Sequence, residues 1–335
     1  MSQAIKLNFM KRADSTSDGP VVFSVMRNED YFLPHFFRHY RNLGVTEFLI
    51  YDDHSDEPAL NFLCSQPDCS VLGSVRQFGD TFGLNGTGVP RRLPHLLKEK
   101  VPEALFPGRW VLTVDADEFF IIPSRFDNLL QMIEFLENSN QFYCTAPMVD
   151  FYGETLYSRN YSINLDPFIA NPNFDAGPYY IWDGGLQPFL IAGGVRYKIL
   201  RMLLQRHPEV AAAVFGSHFP AAAKYWKVPL LKHGAGILRL GDHEISVAPK
   251  CDVTGALAHF KFYPGLDGKI SNALVERQYY HGSVEYAFLD AAIKHLSEVS
   301  LVTWETCRFE GAQSLERAQL IRAPSLLDAM GCDVM

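Results

Sequence analysis

Short apolar runs alternate with helix-like segments through the first third of the chain. Runs rich in Val, Ile, Leu and Phe have the length and composition of strands that are buried on both faces. Such strands are predicted at residues 20–26, 48–51 and 70–75, and from Val111 onward. Apolar residues three and four positions apart predict helices at 32–43, 59–64 and 91–105. This order predicts right-handed crossovers and a mostly parallel sheet.

The rest of the chain adds one strand and further helices to this pattern. The strand is predicted at 142–149, a glycine-rich loop at 79–88, and helical packing at 195–204, 210–215, 269–280 and 283–296. We therefore predict an α/β fold with a Rossmann-like, mostly parallel central sheet flanked by helices. It is expected to have a flexible tail (1–19), a main domain (20–265) and a helical C-terminal extension (266–335).

The run that begins at Val111 ends abruptly in the acids Asp115, Asp117 and Glu118. Open α/β sheets bind ligands at the carboxyl ends of their strands, and carboxylate oxygens are ligands that Mg²⁺ and Mn²⁺ prefer. An Asp-x-Asp at this place predicts a divalent metal held against a diphosphate. The alternative is a solvated turn, because the tripeptide occurs by chance roughly once in a chain of this size.

Composition and charge narrow the classes of protein. The 335 residues are 47% hydrophobic, which is enough for a large core, and the net charge of −8 argues against a nucleic-acid partner. The six cysteines show no C-x-x-C pairing, which indicates reduced structural thiols and no zinc site. The first 20 residues lack the apolar core of a signal peptide, so a cytoplasmic protein is expected.

Glycine-rich phosphate-binding motifs are missing from the sequence. Neither G-x-G-x-x-G after the first strand nor G-x-x-x-x-G-K-[ST] is present. Phosphates would therefore be bound by a metal and by basic side chains. Arg27, directly after the first predicted strand, is one candidate, and its alternative role is an ordinary surface salt bridge.

Several motifs in order resemble those of a known family. RNEDYFLPHFFRHYRNLGVTEFLIYDDHSDE and WVLTVDADEFF, followed by KVPLLKHGAGILRLGDHEIS, GALAHFKF and ERQYYHGSVEY, resemble bacterial glycosyltransferases related to family two, which have the GT-A fold. The likeness spans residues 21–286. It implies a nucleotide-sugar-binding half (20–122), an acceptor-side half (123–265) and transfer of a sugar from a UDP- or GDP-sugar to a glycan or lipid-linked acceptor, in bacterial surface polysaccharide synthesis.

The resemblance also implies roles for residues at the strand ends. Arg27 and Asn28 match the pair that approaches the nucleotide, and Asp52 and Asp53 match the acids that face the base or ribose. The Asp-x-Asp match places Asp115 near the ribose and metal and makes Asp117 a direct ligand of Mn²⁺ or Mg²⁺.

Two histidines match family positions that often supply a third metal ligand. These are His243 in LGDHEIS and His259 in GALAHFKF, and each has the alternative of a structural histidine. Lys261 lies two residues after His259, on the same face if the segment is a strand. It would then lie near the donor phosphates, unless it is a surface lysine.

The catalytic base has three candidates. An inverting transfer needs a carboxylate to deprotonate the acceptor hydroxyl, and Asp150, Glu154 and Asp183 lie in the acceptor-side half. Each has the alternative of a turn acid or an ion-pair partner, and a retaining mechanism stays open. The chain departs from the family pattern at residues 147–150, so the acceptor is less defined than the donor.

Two other functions compete with this interpretation. A haloacid-dehalogenase-like phosphohydrolase also carries an Asp-x-Asp after a strand, with the first Asp as nucleophile, but there the motif follows the first strand. A non-catalytic nucleotide-sugar-binding protein would keep the fold without turnover. Peripheral association with the inner membrane, where lipid-linked acceptors reside, is a further alternative, although the helices lack a basic amphipathic face.

Overall fold

The computed structural model describes residues 5–14, 17–84, 90–156, 164–181, 189–190, 193–215, 225–241, 243–247, 251–277 and 280–323. The strands are β1 Asn8–Lys11, β2 Val21–Met26, β3 Glu47–Asp52, β4 Cys69–Gly73, β5 Thr81–Leu84, β6 Pro90–Arg92, β7 Trp110–Thr113, β8 Glu118–Ile121, β9 Tyr143–Asp150, β10 Asn173–Asp175, β11 Tyr180–Ile181, β12 Phe189–Leu190, β13 Trp226–Lys232, β14 Ala256–His259 and β15 Thr306–Arg308. The helices are α1 Leu33–Asn42, α2 Glu57–Ser65, α3 Leu93–Leu105, α4 Leu129–Asn138, α5 Pro167–Ala170, α6 Gly194–Arg206, α7 Pro208–Phe215, α8 Leu266–Glu276, α9 Tyr280–Leu296 and α10 Ala312–Arg317.

A large mixed sheet organises the protein, with the strand order β1-β4-β3-β2-β7-β13-β9-β14-β8. The four adjacent strands β4, β3, β2 and β7 run parallel to one another. Strand β13 runs antiparallel to both β7 and β9. The predicted α/β fold with mostly parallel central strands is therefore confirmed. The parallel strands lie in the order third, second, first, fourth along the chain, so the progression of the chain reverses between β2 and β7. Open α/β sheets bind ligands beside such a switch point.

Helices cover both faces of this sheet, which explains why β2 is buried along its whole length. Val22 and Met26 pack in one core cluster with α1, while Val21, Phe23 and Val25 pack in another with α3. Successive strand residues point to opposite faces, so each face of the strand has its own helix. In α1, the spacing of Phe36 and Tyr40 gives an edge-on ring pair with centroids 4.7 Å apart.

A helical layer beside the sheet has its own apolar core, formed by residues of α6, α7, α8 and α9. The predicted helical extension is therefore only part of this layer, because α6 and α7 precede residue 266. The extension is also not wholly helical, since β15 pairs antiparallel with β10. None of the helices within the described ranges is long and apolar enough to cross a membrane.

The structure corrects three sequence-based expectations. Part of the predicted flexible tail forms β1, which pairs antiparallel with β4 through backbone hydrogen bonds that a mixed polar sequence does not reveal. The predicted loop at 79–88 contains β5, which pairs with β6. The run from Val111 is two strands, because β7 ends at Thr113 and the chain turns through Asp115 and Asp117 before β8 begins at Glu118. Strand β8 then lies at the far edge of the sheet.

Candidate functional site

The parallel strands bring six of the residues singled out in the sequence to one edge of the sheet. They lie at or shortly after the carboxyl ends of β2, β3 and β7 and are Arg27, Asn28, Asp52, Asp53, Asp115 and Asp117. Because β2 and β7 flank the switch point, this edge has the geometry of a ligand site in an open α/β sheet.

Two lysines hold Asp115. Lys98 Nζ lies 2.6 Å from Oδ1 and Lys227 Nζ lies 2.8 Å from Oδ2, and both lysine side chains are buried. Burial alone raises the pKa of Asp115, but Lys227 and Lys98 hold this pKa well below its usual value. Both carboxylate oxygens of Asp115 are thus engaged, and a metal bound through Asp115 would share an oxygen with a buried lysine.

Asp117 has a different environment. Its Oδ2 lies 3.6 Å from His259 Nε2 and 3.6 Å from Lys261 Nζ, which is beyond hydrogen-bond length. Burial alone raises the pKa of Asp117, but the nearby charge of Lys261 contributes to holding it below its usual value. Asp117 is therefore an ionised carboxylate with an oxygen that faces an imidazole nitrogen and an ammonium group.

The register of three strands places His259 between two acids. His259 of β14 lies opposite Glu118 of β8 and opposite Asp150 of β9, and residues directly opposite each other point to the same face. His259 Nδ1 lies 2.6 Å from Asp150 Oδ1. Asp117, Glu118 and His259 each offer a ligand atom, and these atoms lie within 4.8 Å of one another.

The donor set of this group suits a divalent cation. Carboxylate oxygens with one imidazole nitrogen fit Mn²⁺ better than Mg²⁺, which prefers oxygen alone. Two ligands at about 2.1 Å from one ion lie at most about 4.2 Å apart, so the separation of Asp117 Oδ2 and His259 Nε2 is compatible with a shared ion. Glu118 is less available, because Lys227 Nζ lies 2.5 Å from its Oε1 and the backbone N–H of Asp115 donates to its Oε2.

Further charged groups line the same edge. The pKa of Lys261 is raised: burial alone lowers it, but the carboxylates of Glu285 and Asp117 outweigh this effect. Lys269 of α8 forms an ion pair of 2.6 Å with Glu29. Arg27 pairs with Glu276, also on α8, so the structure contains the salt bridge that the sequence left as the alternative role of Arg27.

The other candidate donor residues contact their own loops. The side chain of Asn28 exchanges hydrogen bonds with Asp56, and Asp52 accepts one from the backbone N–H of Ser55. Asp53 accepts a hydrogen bond from the N–H of Phe78, and burial raises its pKa. Oδ1 of both aspartates has no hydrogen-bond partner among the described residues. Their contact with a base or ribose stays a prediction.

Of the remaining candidates, Asp150, Glu154 and His243 lie within the described residues. Asp150 is buried, and Arg196 and His259 engage its two oxygens, so a role as the base is poorly matched to its surroundings. Glu154 is exposed, and Asp183 lies outside the described residues. Within the described part of the chain, His243 does not belong to the group around Asp117, and its Nδ1 lies 2.6 Å from the carbonyl oxygen of Trp226.

Sequence reasoning missed the buried cations of the site. Lys98 lies in a helix that looks amphipathic, and Lys227 is the second residue of the largely apolar strand β13, so neither has a local signal that distinguishes it from a surface lysine. Arg196 in α6 also has no local signal that distinguishes it from a surface arginine. The only available signal was the excess of acids at the strand ends, because buried carboxylates need cationic or hydrogen-bonding partners.

Comparison with known proteins adds no family to this description. A scan against protein-family models and a search of curated proteins gave no match for this chain.

Proposed function

We propose that the protein is a metal-dependent glycosyltransferase of the GT-A type, which transfers a sugar from a UDP- or GDP-sugar to a hydroxyl acceptor. The supporting observation is the pairing of Asp117 with His259 Nε2 across 3.6 Å at the carboxyl edge of the sheet, with Lys261 equally close to Asp117. A glycan or lipid-linked acceptor in bacterial surface polysaccharide synthesis belongs to this proposal, and it rests on the sequence resemblance alone.

The chemistry of the proposed reaction explains why these residue types are needed. Sugar transfer would leave negative charge on the departing diphosphate, which a bound Mn²⁺ would neutralise. Asp117 and His259 would hold this cation. Lys261 would place a second positive charge beside the diphosphate, and Arg27 would supply a third once it leaves Glu276. The lysines on Asp115 keep the turn between β7 and β8 in place.

The phosphohydrolase alternative has less support. It requires the first Asp of the motif as a nucleophile that attacks phosphorus, yet Lys98 and Lys227 engage both oxygens of Asp115. A carboxylate whose pKa is held well below its usual value is also a weaker nucleophile. The motif follows the fourth of the parallel strands in chain order, whereas the phosphohydrolases carry it after the first.

Nucleotide release is the measurement that tests the proposal. The purified protein is incubated with a panel of UDP- and GDP-sugars and Mn²⁺, with and without hydroxyl acceptors, and free nucleotide is quantified. We expect release from at least one donor, its loss in Asp117→Asn, and its retention in Asp252→Asn, an exposed aspartate before β14.

Three outcomes would contradict the proposal. The first is that no nucleotide sugar with Mn²⁺ is turned over or raises the melting temperature at millimolar concentration. The second is release of inorganic phosphate from phosphomonoesters, which supports the phosphohydrolase. Donor binding without any turnover would support the non-catalytic binding protein.

A further inference from the structure

We infer that Asp150 is a positioning residue, which fixes the ring of His259 so that Nε2 faces Asp117 and binds the divalent cation. This inference rests on the metal site of the proposed function and replaces the role of base that the sequence suggested for Asp150. It predicts a defined tautomer of His259 in the protein without metal.

The contacts of Asp150 leave it little freedom. Its Oδ1 lies 2.6 Å from His259 Nδ1, and its Oδ2 lies 2.6 Å from Nε of Arg196. Arg196 is held in turn by Glu285, 3.0 Å from Nη1, and packs 5.0 Å from the centre of the Tyr225 ring. The carboxylate is therefore fixed from the sheet side by β14 and from the helical layer by α6.

The hydrogen bond from His259 determines which ring nitrogen carries the proton. An ionised carboxylate only accepts hydrogen bonds, so Nδ1 of His259 must be protonated to donate to Asp150. In the neutral ring, Nε2 then has a free lone pair. This nitrogen faces Asp117 Oδ2 across 3.6 Å. Histidine ligands of metals are commonly fixed in this way by a carboxylate on the other nitrogen.

A merely structural ion pair between Asp150 and Arg196 is the competing explanation. It would place Asp150 beside α6 for stability alone, and the contact with His259 would be incidental. The two explanations differ in Asp150→Asn. The amide oxygen can accept from His259 or from Arg196, but its NH₂ group cannot accept from the other donor. The orientation of His259 should then become heterogeneous, whereas a structural role predicts only lower stability.

Metal binding and the His259 tautomer are measured separately from sugar transfer. Mn²⁺ affinity is determined by electron paramagnetic resonance on the metal-free wild type, on Asp150→Asn and on Asp175→Asn. Asp175 is the matched control, because it is also buried and forms a 2.6 Å ion pair with a buried cation, Lys198. The proton positions on the imidazoles are determined by ¹⁵N NMR of the same samples at pH 8.

We expect Asp150→Asn to bind Mn²⁺ about 10–100-fold more weakly than the wild type and to show a mixture of His259 tautomers. Asp175→Asn should lose stability but keep the Mn²⁺ affinity within about twofold. Equal Mn²⁺ affinity and an unchanged tautomer in Asp150→Asn would overturn the inference. If the wild type itself binds no Mn²⁺, the metal site of the proposed function fails instead.

The wild-type spectrum keeps the inference testable even if Asp150→Asn does not fold. In the neutral ring of His259, the proton should lie on Nδ1. A proton on Nε2 of the neutral ring would leave no lone pair facing Asp117 for a cation and would overturn the inference.

Discussion

Arg27 and Glu276 form an ion pair between the loop after β2 and the last residue of α8, with Nη1 3.2 Å from Oε2. Glu29 and Lys269 form a second link between the same two elements. Helix α8 is thus tied to the loop that is proposed to meet the donor. Both terminal nitrogens of Arg27 are engaged by Glu276, so we expect donor binding to compete with this ion pair.

Glu276→Gln should therefore strengthen donor binding. Removing the carboxylate frees Arg27, and because exposed ion pairs contribute about 0–1 kcal/mol, the gain in nucleotide-sugar affinity should be about two- to fivefold. Titration at low and high salt measures it, and the gain should shrink at high salt because screening weakens the ion pair in the wild type. Glu298→Gln, which removes an exposed charge outside α8, is the control. Weaker donor binding in Glu276→Gln would mean that the ion pair supports the site.

The two aspartates of the Asp-x-Asp motif should give opposite phenotypes. Asp115→Asn removes an ion-pair partner of two buried lysines, so the free energy of unfolding should fall by about 1–3 kcal/mol. This is less than for a fully buried ion pair, because the Asp115 side chain is 36% exposed. Asp117→Asn should lose Mn²⁺ binding with little loss of stability. Urea unfolding and Mn²⁺ titration of both variants test this, and the prediction fails if Asp115→Asn abolishes Mn²⁺ binding while its stability is unchanged.

Low pH should remove the contribution that the ionised carboxylate of Asp150 makes to the free energy of unfolding. Burial alone raises its pKa, but Arg196 and the hydrogen bond from His259 lower it to about 2, against about 3.9 in an unfolded chain. The folded state thus binds fewer protons, so this contribution of about 2–3 kcal/mol is complete above pH 5. It declines as the pH falls from about 4 to about 2.

Comparison of the wild type with Asp150→Asn isolates this effect. The difference in their free energies of unfolding, measured in urea, should be constant between pH 5 and 7 and become smaller below pH 4. A difference that stays the same down to pH 2.5 would show that the ionisation of Asp150 does not contribute to stability.

Two adjacent leucines of α4 allow a matched test of the core. Leu129 is fully buried, whereas Leu130 is 51% exposed. Leu129→Ala should lower the free energy of unfolding by about 2–5 kcal/mol, because it leaves a cavity in the main core. Leu130→Ala, the same chemical change, should cost less than about 1 kcal/mol. Similar losses in both variants would contradict the position of this helix.

The central sheet was predictable because its signals are local. The run from Val21 to Met26 is apolar at nearly every position, and the phenylalanines of α1 recur at helical spacing, so strand and helix follow from neighbouring residues. Strand β1 was missed because its residues are exposed or partly exposed, and its pairing with β4 is a long-range contact. The pairing of β15 with β10 was missed for the same reason, since more than a hundred residues separate them.

The acidic residues of the candidate site could be predicted from the sequence, but its buried lysines could not. Asp115 and Asp117 stand out because they interrupt an apolar run. The resemblance offered two histidines without a choice between them, and the strand register places His259 beside Asp117. Nothing local indicates that Lys98 and Lys227 converge on Asp115, because that contact depends on the packing of a helix and an antiparallel strand against the same turn.

The alignment of Glu118, His259 and Asp150 on three adjacent strands has a consequence for how this protein can change. Inserting or deleting a single residue within β14 would turn the imidazole to the opposite face of the sheet. Loops around the edge can vary in length, but the four residues of β14 cannot. A chain that keeps the histidine but changes the length of that strand would retain the sequence motif. It would lose the contacts of the imidazole with Asp150 and Asp117.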